Sequence, residues 1–251
     1  MVVTSESLLH NMLVSVITST HNRARFIPRL IELYVAQTYP QELMEWIILD
    51  DGQEKIEHMF KEAGLTNVRY IKKATKLPMG AKLNLLKTIA VGDITVVMDD
   101  DDYYPPERVA SVVRAFEANP GVELAGCSLV YTYFTDTDEI YAIGPYHDRH
   151  ALNCTLAWLS SYRGRYDDAE PCAVESVFLK GFTQPMIQLE PRQTILHIVH
   201  SSNTFRDKHK VTRVKTSFAL ADFVTADLHT AFAGTGYSCL QAPAPRGPST
   251  V

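Results

Sequence analysis

The stretch Gly92-Asp93-Ile94-Thr95-Val96-Val97-Met98-Asp99-Asp100-Asp101-Asp102 decides the fold. A glycine closes whatever precedes it, and an unbroken run of strand-forming residues follows. Such a run, with no polar alternation, belongs to a parallel strand covered on both faces. The strand then ends abruptly in four aspartates. Pro105-Pro106-Glu107 comes next and opens a helix, proline being tolerated in a first turn. Val109, Val112, Val113 and Phe116 form the apolar side of that helix.

Working outward toward the N-terminus, the same unit recurs. Leu13 to Ile17 reads as a buried strand that ends in the polar turn Thr18-Ser19-Thr20-His21-Asn22-Arg23. Ile27, Leu30, Ile31, Tyr34 and Val35 follow at helical spacing as far as Tyr39-Pro40. A second strand, Trp46-Ile47-Ile48-Leu49, runs into Asp50-Asp51-Gly52. A helix around 56 to 63, a short strand at Val68 to Ile71 and a helix from Lys82 to Ala90 complete the series. Alternation of strand and helix over roughly the first 120 residues predicts an α/β fold with a doubly wound, mostly parallel sheet. Ligands bind beyond the carboxyl ends of such strands. Three polar clusters fall there: residues 20–23, 50–52 and 99–102.

Beyond residue 120 the pattern loosens. Leu124 to Phe134 predicts one or two strands, and Ile195 to Val199 another. Phe218 to Phe232 predicts an amphipathic helix, and residues 145–172 read as an irregular binding loop. The expected organisation is a single domain over 1–241. A regular half covers about 12–120, a smaller and less regular half 121–241, and a disordered tail 242–251. Gly234-Thr235-Gly236 is too short a glycine pattern to signal a phosphate loop.

Composition narrows the function classes. The 251 residues carry 24 Lys plus Arg against 29 Asp plus Glu, a net charge of -5 that gives no global pull toward nucleic acid. Four widely spaced cysteines, with no C-x-x-C pair, read as reduced buried thiols rather than a zinc site. The expected compartment is the cytoplasm, with no transmembrane segment. The sequon Asn153-Cys154-Thr155 is read as chance.

Four of the 29 acidic residues sit in the single run Asp99 to Asp102. Adjacent carboxylates repel one another unless a cation neutralises them, and hard oxygen donors suit Mg²⁺ or Mn²⁺. Magnesium typically bridges one or two carboxylates to substrate phosphates, so a phosphate ester or nucleotide is implied. No G-x-x-x-x-G-K-[ST] loop is present, and no G-x-G-x-x-G follows the first strand. Side chains and a metal must therefore hold the nucleotide.

Five markers occur in order: Val14 to Arg23; Ile48-Leu49-Asp50-Asp51-Gly52; Gly80-Ala81-Lys82-Leu83-Asn84; Gly92 to Asp102; and Pro106-Glu107-Arg108. This order resembles the GT-A glycosyltransferases, specifically the family 2-like nucleotide-sugar transferases, over roughly Leu13 to Asn203. The resemblance implies that Thr20, Asn22 and Arg23 line the nucleotide pocket, Asp51 hydrogen-bonds the base (commonly uracil), and Lys82 lies near base or diphosphate. It implies a D-x-D element in which Asp99 faces the ribose and Asp101 binds the metal, with Asp100 between them. His200, in His200-Ser201-Ser202-Asn203-Thr204, would approach metal or diphosphate.

Chemistry adds one demand. An acceptor hydroxyl must lose a proton as it attacks, so a carboxylate base is needed. The resemblance places that base in the second half, before an apolar helix. Asp167, Asp168, Glu170 and Glu175 are candidates. Glu175, which precedes Ser176-Val177-Phe178-Leu179, is preferred, although the family often carries Glu-Asp where this chain has Glu175-Ser176. His197 and His200 lie three apart and face opposite sides of a strand unless the strand has ended. His147, Arg149 and His150 could touch acceptor or phosphate, and Tyr131, Tyr133, Trp158 and Tyr162 could stack on sugars.

The reading is a metal-dependent, inverting transferase. It would move sugar from a nucleoside diphosphate donor, a UDP-sugar first, to a glycan or glycoprotein hydroxyl. A sugar nucleotidyltransferase and a non-catalytic nucleotide- or sugar-binding module are the alternatives.

Overall fold

A computed structural model describes residues 12–201, 203 and 212–224. Its first half is the predicted alternation. Strands β1 (Val14–Thr20), β2 (Met44–Asp50), β3 (Val68–Lys72) and β4 (Ile94–Val97) alternate with helices α1 (Ile27–Val35), α2 (Glu57–Glu62), α3 (Met79–Ile89) and α4 (Arg108–Ala118). The strands line up β3-β2-β1-β4, all parallel. Every residue of β1 and β4 is buried, as an unbroken apolar run requires of a strand covered on both faces.

The two covers differ. Val16, Trp46, Ile48 and Val96 pack with Ile27, Leu30 and Tyr34 of α1 and with Val112 and Phe116 of α4. Ile17, Ile47, Leu49 and Val97 point the other way, onto Leu83 and Leu86 of α3. Successive strand residues thus feed opposite layers, giving helix, sheet, helix.

The second half continues the sheet and then starts another. Leu124 to Phe134 supplies two strands in different sheets: β5 (Leu124–Gly126) in the first and β6 (Val130–Phe134) in the second. Within the irregular 145–172 loop, β8 (Ala157–Leu159) inserts antiparallel between β4 and β5. After the single-turn helix α5 (Glu175–Phe178), β9 (Ile187–Gln188) closes the first sheet beside β5. A four-stranded sheet holds β10 (Leu196–Val199), β6, β7 (Glu139–Ile143) and β11 (Arg213–Lys215) in that order, with the short helix α6 (Pro191–Thr194) leading into β10.

Two expectations change. Over 218–224 there is no α-helix, only a 3₁₀ turn at Leu220–Asp222. Its Asp222 Oδ2 accepts from the Ala219 amide at 2.8 Å, and Phe218 and Phe223 pack on Tyr131. The rest of the expected 218–232 helix, Gly234-Thr235-Gly236, Cys239 and the 242–251 tail lie outside the described residues. Among the described residues no helix is long and apolar enough to cross a membrane. Cys127 and Cys154 are buried free thiols, whereas Cys172 is half-buried.

The marker at residues 80–84 proves to be a clamp. The Gly80 amide donates to Glu170 O at 3.0 Å, and a Cβ there would lie 1.8 Å from Asp167 O. Asn84 Nδ2 donates to Tyr166 O at 2.8 Å and to Asp168 Oδ1 at 2.7 Å, and its Oδ1 accepts the Tyr166 amide at 2.9 Å. Helix α3 therefore carries the 163–170 segment on its first turns. Gly80→Ala should lower stability by about 2 kcal/mol, because the obstruction is backbone and cannot rotate away. A reduced urea midpoint at unchanged m-value is the expected result.

Candidate active site

The site grows from strand ends. Thr20 pairs in register with Asp50, so β1 and β2 stop together; β4 stops earlier, and Thr18 Oγ1 reaches across to Met98 O at 2.7 Å. The aspartates follow Met98 directly. An antiparallel bridge ties the turn beyond them to the second sheet, Tyr103 N to Leu196 O at 3.1 Å and Leu196 N to Tyr103 O at 2.9 Å. This bridge lays β10, with its histidines, over the acidic run.

Asp100, Asp101 and Asp102 then meet partners from distant segments. The Arg23 guanidinium donates to Asp100 Oδ1 at 2.9 Å and also to Asp101. Asp101 Oδ2 additionally lies 3.1 Å from His200 Nε2 and accepts Asn203 Nδ2 at 3.2 Å. Asp102 Oδ1 meets His197 Nδ1 and the Ile198 amide, each at 2.8 Å. Strand β10 has ended at Val199, which is how two histidines three apart both face aspartates. Burial and the adjacent Asp101 push the Asp100 carboxyl up to about 7, with Arg23 opposing. Burial alone would also raise Asp101, but His200 and Arg23 hold it well below the carboxylate range. Burial and the other three aspartates raise Asp99 well above that range. Burial would lower the His197 imidazole, yet Asp102 lifts it above its ordinary value.

The donor set suits a divalent cation. Asp99 and Asp101 are hard oxygen donors, and the His200 imidazole lies beside Asp101. Such a set matches Mn²⁺ or Mg²⁺.

Two cavities open here. One, of about 190 Å³, is lined by Thr20, His21, Arg23, Lys82, Asp99, Asp100 and Asp101 among others. The second, of about 450 Å³, is lined by Phe134, Tyr146, His150, Asn153, Glu175 and Phe182 with further apolar residues. Asp99 and His197 line both. In the second cavity the His150 ring stacks on Phe182, centroids 4.8 Å apart, and Tyr146 lies 4.4 Å from His150. Glu175 Oε1 accepts the Asn153 amide at 3.0 Å, and burial raises its carboxyl above the ordinary glutamate value.

Thr20, Arg23, Lys82, Asp99, Asp100, Asp101 and His200 thus converge on one side and Glu175 on the other. The remaining expected residues fall elsewhere. Asn22 has a left-handed backbone (φ 53°) that aims Oδ1 at the Gln53 and Glu54 amides, 2.6 and 3.3 Å away, so it braces a loop rather than lining the first cavity. Asp51 is buried beneath the first cavity, holding Lys82 Nζ at 2.8 Å, His21 Nδ1 at 3.0 Å and the Leu77 amide at 2.7 Å. Asp50 takes the turn role, accepting the Gly52 amide at 2.8 Å.

Asp167 and Asp168 are exposed and Glu170 half-buried; all three belong to the segment held by α3 and line neither cavity. Trp158, Tyr162 and Tyr133 are core residues, and Tyr131 packs on Phe218 and Phe223. His147 packs beside His150 and Phe182, and Arg149 donates to Thr183 O at 3.2 Å.

His21, Asn203, Tyr146 and Phe182 are the residues sequence reasoning passed over, whereas it names His150 for acceptor or phosphate and weighs His197 with His200. His21 and Asn203 stand inside quoted motifs. Tyr146 and Phe182 became site residues only through the 145–186 loops.

Lys82→Met would leave the buried Asp51 carboxylate without its lysine partner, at a cost of about 3 kcal/mol at neutral pH. Although burial favours the neutral acid, Lys82, the Leu77 amide and His21 hold Asp51 below the ordinary value. Its stabilisation is therefore present at neutral pH and lost as pH falls through that depressed value. In the variant, burial acts unopposed by Lys82. The gap between variant and parent should narrow as the pH is lowered in denaturation experiments.

Comparison with known proteins agrees with this architecture. The profile of the family described as "Glycosyl transferase family 2" matches residues 15–174. An "Uncharacterized glycosyltransferase" of Haemophilus influenzae is 28% identical over 135 residues, 51% of this chain and 45% of that protein. A second one, from Nostoc, is 28% identical over 112 residues, 43% of this chain and 34% of its own length. The chain thus spans less than half of either relative.

Among solved structures, Staphylococcus aureus TarS 1-349 in complex with UDP-GlcNAc superposes with a TM-score of 0.62 at 15% identity, covering 76% of this chain and 60% of that one. The mannosyltransferase PcManGT from Pyrobaculum calidifontis, in complex with GDP-Man and Mn²⁺, gives 0.60 at 16% identity, covering 77% and 59%. At such identity the likeness concerns the fold.

Proposed function

Since the chain belongs to glycosyl transferase family 2, we propose that it transfers a sugar from a nucleoside diphosphate donor to a hydroxyl of a glycan or glycoprotein, with inversion. The observation that carries this reading is the meeting of two chemically opposite cavities at Asp99 and His197. One offers carboxylates, Arg23 and Lys82 to a charged donor; the other offers aromatic faces and the Glu175 carboxylate to an acceptor.

Asp99 and Asp101, with His200 beside them, would hold Mn²⁺ or Mg²⁺, which when bound supplies Lewis-acid stabilisation of the departing diphosphate. Arg23 and Lys82 add fixed positive charge on the donor side. Asp51 keeps Lys82 in place from beneath. Glu175 faces the second cavity, where its raised proton affinity suits a base taking the acceptor hydroxyl proton. His150, Phe182 and Tyr146 would seat the acceptor's apolar face. A base on the acceptor side and the leaving group on the donor side place attack and departure on opposite faces of the sugar, which inverts the anomeric centre.

The test is a screen of UDP- and GDP-sugars with Mn²⁺, reading release of nucleoside diphosphate. Asp101→Asn should abolish release while circular dichroism is retained, and full Mn²⁺-dependent activity in that variant overturns the reading. Glu175→Gln should cut kcat by roughly a hundredfold or more. In the parent, kcat/KM should fall on acidification with a limb above the ordinary glutamate range, because Glu175 must be deprotonated and burial raises its value. Pyrophosphate release from a nucleoside triphosphate and sugar phosphate would instead mark a nucleotidyltransferase, and binding without turnover a module.

A further inference from the structure

Behind the fourth aspartate lies a cluster that the transfer reading does not use. One ligand atom each from Asp102, Cys154 and His197 lie within 4.8 Å of one another. Asp102 and Cys154 are buried, and His197 is partly so. Three elements bring them together: the turn after β4, the 3₁₀ turn Asn153–Thr155, and β10. The fully buried Arg108 fastens the middle one, its Nη2 donating to Thr155 O at 2.8 Å and Leu156 O at 3.3 Å.

An independent observation points to a ligand. Asp102 is 3% exposed, and its Oδ2 has no hydrogen-bond partner among the described residues. A buried carboxylate oxygen without a partner is costly unless something fills the place. Oδ1 is already engaged by His197 and the Ile198 amide.

We propose that Asp102, Cys154 and His197 form a zinc site on the wall of the second cavity. The donor set of one sulfur, one imidazole nitrogen and one carboxylate oxygen is borderline-soft, which suits Zn²⁺ and disfavours Mg²⁺. It differs from the neighbouring oxygen-rich set, whose Asp101 is held by Arg23, His200 and Asn203. Bond lengths of about 2.0 to 2.3 Å to a central ion ask for a small inward movement of the three donors. Cys154 and His197 both line the second cavity, which supplies an entry path and leaves the fourth position open toward it. On binding, Cys154 coordinates as thiolate and its proton leaves to solvent.

This inference uses no donor or acceptor, so it stands or falls separately from the transferase reading. The full chain is stripped with chelator, supplied with excess Mn²⁺ to fill the hard site, and titrated with Co²⁺ as a spectroscopic probe. A sulfur-to-cobalt charge-transfer band in the near ultraviolet is expected, saturating at one ion per chain and removed by Zn²⁺. Cys154→Ser should lose the band. His197→Gln and Asp102→Asn should weaken Zn²⁺ binding, measured by calorimetry, by about tenfold at the least, the loss that removal of even an outer partner of a metal ligand brings. Absence of the band in folded parent, or its survival in Cys154→Ser, overturns the site. If Cys154→Ser does not fold, unchanged affinity in both other variants overturns it equally.

Discussion

Four carboxylates crowded at the end of one strand are the constraint on which the rest depends. Like charges at that spacing cannot all stay ionised in a buried place without compensation. The chain meets the demand by bringing cations and donors from distant segments: Arg23 from the turn after β1, His197, the Ile198 amide and His200 from β10 and its end, and Asn203 beyond. The Tyr103–Leu196 bridge is the mechanical consequence, since it sets β10 against the acidic turn. The second sheet is then the scaffold that keeps these donors in register with the first.

A second buried carboxylate organises the opposite wall. Asp51 draws together Lys82 from α3, His21 from the β1 turn and the Leu77 amide. The same helix supports the 163–170 segment through Gly80 and Asn84. One short helix therefore serves three ends: a core face at Leu83 and Leu86, a buried ion pair at Lys82, and a platform for a loop. Each depends on a different side of the helix, which is why small, basic and amide residues stand beside the leucines.

The division of labour between the cavities follows from where each comes from. Parallel strand ends expose polar turns and favour charge, so the first cavity is ionic. The loops between β7 and β9 contribute Tyr146, His150 and Phe182, and the second cavity is aromatic. Asp99 and His197 sit where these two environments touch, one from each sheet.

The α/β alternation, the parallel sheet and the three polar strand ends were legible in the sequence, because burial on two faces leaves an unbroken apolar run and strand ends break it with charge. The acidic run could be read as a cation site for a related reason, since four adjacent carboxylates call for compensating charge. Which partners each carboxylate meets was decided by tertiary structure. Asp51 meets Lys82, and Asn22 meets the Gln53 and Glu54 amides. Asp168 and Glu170 stand near Glu175 in the chain but are held on α3, while Glu175 opens into a cavity. His197 gained its place only when β10 was bridged to Tyr103. Local sequence fixes the period of burial and the chemistry on offer; long-range pairing alone determines which groups face one another across a gap.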